Sequence, residues 1–217
     1  MRELLRYPVR GEHAEEALLI GWICLLVHLL FVPALALVPA IGYLISVLRS
    51  TVNEGEQRAT PPPVGWTILR RGVVGGLLLI GYGLVPVAVG ATTLGLAGTT
   101  SIEPDTGGSL LFLAGSTTTL FVLLSFLYVL PIALCGYACE GRGGAVPGSG
   151  FATVGAHAAY FVGWTVGLVI LGLGWFVGEA VASLSTLGPV LAALWWWYVL
   201  LVSTHRIGLA YAAALRG

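Results

Sequence analysis

The stretch GVVGGLLLIGYGLVPVAVGATTLGLAGTTSI, Gly72 to Ile102, contains no charged residue. A bilayer core about 30 Å thick needs roughly 20 apolar residues per helix, and an ionised side chain at its centre costs several kcal/mol. A run this long therefore predicts a membrane-spanning helix. Three more runs share the property: 17 to 48, 106 to 139, and 143 to 205, the last interrupted only by Glu179. The fold class is all-α: a polytopic α-helical membrane protein of five to six transmembrane segments.

Composition agrees. The chain is 57% apolar and 9% charged, against roughly 25% charge in soluble domains. It reads as a single integral membrane domain, 1 to 217. Net charge is zero and every basic residue is Arg, with no Lys, so nucleic acid is disfavoured as a partner and the lipid bilayer is the expected one. Cys24, Cys135 and Cys139 lie in or at the ends of apolar runs, which does not indicate disulfides. The N-terminal segment carries Arg2, Arg6 and Arg10, but its apolar stretch continues to Leu48 without a small-residue cleavage site, so it reads as retained.

Arginine sets the orientation. The segment 49 to 71 holds Arg49, Arg58, Arg70 and Arg71 beside the Pro61-Pro62-Pro63 run, the next connection holds Glu103 and Asp105 without Arg, and Arg142, Arg206 and Arg216 follow. The positive-inside rule places 49 to 71, the Arg142 loop and the C-terminus in the cytoplasm of a multi-pass cell-membrane protein, with 98 to 108 outside. Glu179 then falls at an outer turn, where Gly178-Glu179 and Gly188-Pro189 are the expected breakers. Residues 17 to 48 remain open. One helix of about 48 Å leaves three arginines outside and gives five segments, whereas a hairpin near Pro33 to Pro39 brings them inside and gives six. The hairpin is the favoured reading.

Gly72, Gly76 and Gly83 recur at Gly163, Gly167 and Gly174, each 91 residues on, and Pro39 and Pro131 are 92 apart. This spacing suggests a parallel internal repeat with halves 17 to 98 and 109 to 190 and a final helix to about 214. A repeat argues against the hairpin, because 109 to 138 reads as one long helix. With Gly90 and Gly178, the two glycine sets fall within about 40° and about 60° of one line on their helices. Such stripes let helices approach backbone to backbone, and they are the expected packing faces.

The stretch Gly42-Tyr43-Leu44-Ile45-Ser46-Val47-Leu48-Arg49, followed by Gly55, Pro62-Pro63, Trp66 and Gly72, resembles the signature of the domain-of-unknown-function family 4013. Arg6-Tyr7-Pro8, Gly208 and Tyr211 resemble its haloarchaeal members. Val64-Gly65 departs from the pattern, since acidic residues often precede the Trp in that family. The resemblance implies a multi-pass prokaryotic membrane protein and brings no reaction, substrate or catalytic residue with it.

Candidate chemistry is sparse. Cys24 and His28, four apart on one helical face, could share a metal, but no third ligand is identifiable, and a packed thiol with a hydrogen-bonded imidazole is the commoner outcome of such a pair. Neither metal nor cofactor is expected. Cys135 and Cys139 read as small packing residues, and His157, His205 and Arg206 as groups near helix ends that water or headgroups satisfy. The loop arginines read as solvated or headgroup-facing. Hydroxyls at Thr92-Thr93 and Ser116 to Thr119 should bond a carbonyl four residues back or a neighbouring helix. The Trp195-Trp196-Trp197-Tyr198 run reads as an interface anchor or, if deeper, a lipid groove.

Three functional classes follow. The leading one is a non-enzymatic scaffold or accessory protein that associates with itself or another membrane protein through glycine faces. A small-solute channel or transporter is the alternative, resting on the repeat and on helices broken near Pro33, Pro39 and Pro131. An enzyme acting on lipids would need a His, Asp or Glu cluster at a membrane face, and the sequence suggests none.

Overall fold

The computed structural model describes residues 2–10, 13–31, 34–55, 61, 65–99, 106–146 and 148–217. Pro33, Arg58, Pro62, Pro63, Glu103 and Asp105 lie outside these. Among the described residues the helices are α1 (Arg2–Arg6), α2 (Ala14–Phe31), α3 (Leu37–Glu54), α4 (Gly65–Thr99), α5 (Thr106–Glu140), α6 (Ser149–Ala156), α7 (Ala158–Ala182) and α8 (Gly188–Arg216), with no strand. Six of them, α2, α3, α4, α5, α7 and α8, are long and apolar enough to cross a membrane.

The run 17 to 48 is a hairpin. Its helices α2 and α3 pack on each other across the Pro33 region. Each has 18 residues, about 27 Å at 1.5 Å per residue, which nearly matches a bilayer core. Glu15 and Glu16 sit in the first turn of α2, where the helix dipole favours acids. Pro39 is in the first turn of α3, where backbone N–H groups have no partner to lose. At the far end Gly55, with φ of 79°, terminates α3 in a conformation that suits glycine.

Several expected breaks do not occur. Pro131 lies within α5. Gly178 and Glu179 belong to α7, which continues to Ala182. The reversal falls at residues 183–187, and Pro189 merely opens α8. A glycine costs a helix only about 1 kcal/mol, less than packing against it can return. The two suggested repeat halves differ in element order, since 17 to 48 forms two helices and 109 to 138 lies in one.

The chain divides into two compact units, residues 1–76 with 132–217, and residues 77–131. In the first, α8 is the most buried span and packs on α7, α3 and α2. The core gathers Tyr7, Ala17, Tyr43, Val47, Trp197 and Leu201. In the second, the Thr93 and Thr119 hydroxyls hydrogen-bond at 3.0 Å across α4 and α5. Each also bonds a carbonyl four residues back in its own helix, Val89 and Gly115 respectively. Leu77, Ile80, Leu84, Leu113 and Phe121 are exposed, and in a bilayer such side chains meet acyl tails.

Candidate functional site

Four of the five α7 glycines face α8, and the fifth, Gly172, meets open space. A methyl group at Gly163 would collide with Ala210, at Gly174 with Val199, and at Gly178 with the Trp196 indole, while at Gly167 it would lie 2.9 Å from Ile207. The seam is closed by Ser203, whose hydroxyl donates to the Gly167 carbonyl at 2.9 Å. The α4 glycines differ. Gly72 abuts the Val38 carbonyl on α3, Gly90 would bring a methyl 3.3 Å from Thr119, and Gly83 barely reaches Phe126 at 3.9 Å. Gly76, with Gly81 and Gly95, has, beyond its own stretch of helix backbone, no atom of the described residues within 4 Å of where a Cβ would stand.

Four consecutive aromatics on α8 point in different directions, and each finds its own partner. Trp197 is fully buried and donates to the Ala17 carbonyl at 3.0 Å, with its ring against Gly21. Trp195 donates to the Gly174 carbonyl at 2.8 Å, and Trp196 stacks on Trp175 at 5.1 Å. The Tyr198 hydroxyl donates to the Leu5 carbonyl. This run therefore ties α8 to α7, α2 and the N-terminal segment. The placement of His205 near a helix end is corrected. Because α8 continues to Arg216, His205 sits inside the helix, 1% exposed, stacked on Tyr7 at 3.8 Å.

Cys24 and His28 have different surroundings. Cys24 packs against the aromatic core, whereas His28 lines a cavity of about 390 Å³ with Leu25, Trp175, Glu179 and Trp196. Among the described residues the buried His28 Nδ1 and Trp196 Nε1 have no hydrogen-bond partner. The imidazole is thus not bonded between helices through Nδ1, contrary to expectation. Among the described residues no three of His, Cys, Asp and Glu come together as a ligand set. The three cysteines are free thiols.

A second cavity, about 510 Å³, was not legible in the sequence. Arg49 near the end of α3, Thr67, Arg70 and Arg71 at the start of α4, and Tyr137 and Cys139 at the end of α5 line it. The only advance signal was that basic residues bound three consecutive helix ends. Gly141, with φ of 76°, turns the chain beside Cys139, and Gly136 and Gly144 approach backbone to backbone below it.

Six crossing-length helices, with no strand among the described residues, define a polytopic α-helical membrane protein. More particularly, the chain belongs to the family described as a protein of unknown function, DUF4013, whose model matches residues 25–183. No curated protein and no solved structure matches it.

Proposed function

We propose that this chain is a non-enzymatic scaffold or accessory protein of the cell membrane, with its arginine-bearing end and C-terminus cytoplasmic, which associates with a second copy through α4. One observation carries the reading. Gly163, Gly167, Gly174 and Gly178 of α7 are filled by α8, which leaves Gly172 open there, whereas α4 leaves Gly76, Gly81 and Gly95 open to the other described residues. Each open glycine weakens its helix by about 1 kcal/mol relative to Ala, and in lipid that cost is recovered when a neighbouring helix approaches closely. Pro131 lies inside a continuous α5, which supports this reading over a channel or transporter built on a helix break there.

Oxidative cross-linking in native membranes tests this. In a background with Cys24, Cys135 and Cys139 replaced by Ala, Gly81→Cys should form a disulfide-linked dimer, and Val169→Cys, on an exposed face of α7, should not. A monomer at both positions, or equal cross-linking at both, would overturn the reading.

A further inference from the structure

We propose that the arginine-lined cleft of α3, α4 and α5 binds an anionic phosphate group. Arg49, Arg70 and Arg71 share this one cavity, and no carboxylate of the described residues lines it. Among the described residues none of the three makes an ion pair, and Glu140, next in sequence to Cys139, is exposed and makes none either. Arg71 is half-buried, and Arg49 and Arg70 are exposed. Three positive charges lining one recess repel each other, and a bound anion offsets that repulsion.

The recess is built for a tetrahedral oxyanion. Arg71 is half-buried, and its Nη1 donates to the Ser46 hydroxyl at 2.9 Å, while that hydroxyl donates to the Gly42 carbonyl at 2.9 Å. One nitrogen of its guanidinium is therefore tied to α3, and Arg71 itself lines the cavity. Guanidinium forks match phosphate oxygens two at a time, which a lysine cannot do, and this chain has no lysine. Thr67 and Tyr137 add hydroxyls to the lining. A volume of about 510 Å³ lies in the range of small-ligand sites, which runs from about 300 to 1,000 Å³. Basic pockets between transmembrane helices at the cytoplasmic face hold anionic headgroups by the same chemistry. The phosphate can come from a lipid headgroup or from a free ion.

The full-length protein separates these sources. It is reconstituted in phosphatidylglycerol or phosphatidylcholine nanodiscs, released into detergent, and its retained lipids are counted by native mass spectrometry, with and without added inorganic phosphate at constant ionic strength. Retention of phosphatidylglycerol over phosphatidylcholine supports the proposal with a lipid source. Thermal stabilisation by inorganic phosphate, with no retained lipid, supports it with a free-ion source. In Arg49→Gln/Arg70→Gln, which leaves the Arg71–Ser46 bond intact, binding of the supporting anion should weaken by about tenfold or more. Arg216→Gln, at the exposed end of α8, should change nothing. Undiminished binding in the folded double variant, equal retention of both lipids, or no response to either anion would overturn it.

Discussion

Thr51 Oγ1 and His205 Nδ1 lie 2.8 Å apart, both buried, joining α3 to α8 across 154 residues of sequence. Tyr7 covers the imidazole with its ring at 6° to the imidazole plane, so one histidine holds three separate parts of the chain. Thr51→Val keeps the shape and removes the bond, and it should cost about 1 kcal/mol in a reversible detergent melt. His205→Ala also removes the stacked surface and should cost more. The double variant should show a coupling of about 0.6 to 1.7 kcal/mol, the range seen for interhelical bonds in membranes. Strict additivity would mean that the contact contributes nothing.

Substitutions at glycines should divide by what surrounds each backbone. Gly174→Leu and Gly178→Leu drive side chains into Val199 and Trp196, whereas Gly76→Leu and Gly172→Leu meet open space. The first two should lower stability by about 1 to 3 kcal/mol or more, as overpacked sites do. Gly172→Leu should be unchanged or slightly stabilised, since leucine is the better helix former, whereas Gly76→Leu should leave the protomer's own fold intact and weaken its pairing with a second copy. Thermal melting of the four purified variants checks this, and equal tolerance at all four would contradict the α7–α8 seam.

The hairpin of α2 and α3 has a topological consequence. With six crossings the two ends of the chain share a side, and the 183–187 turn lies on the other. In a cysteine-free background, Arg10→Cys and Arg216→Cys should be protected from an impermeant thiol reagent in intact cells, and Ser185→Cys should be labelled. Labelling at position 10 with protection at 216 would restore the five-segment alternative.

The spans were readable because exclusion of charge from hydrocarbon acts on each residue singly. An apolar run such as 72 to 102 announces a helix whatever surrounds it. The hairpin at 17 to 48 was half-readable, since the arginine count argued for it and the apparent repeat against it. Glycine spacing indicated a face on α7 without naming its neighbour, and the positions at the matching spacing on α4 meet different surroundings.

Pairings were not readable in this way. A transmembrane helix is apolar on every side, so its sequence carries no polar stripe to say which face turns inward or toward which neighbour. Trp195, Trp196 and Trp197 were visible as a cluster, but only packing assigned them to Gly174, Trp175 and Ala17. Arg49, Arg70 and Arg71 were visible as loop charges, but only the meeting of three helix ends made one cleft of them. The amino-acid sequence by itself determined the solvent, the helical class and the family; the tertiary structure decided which side chains meet, because in lipid that choice is made by close packing and hydrogen bonds between helices distant in sequence.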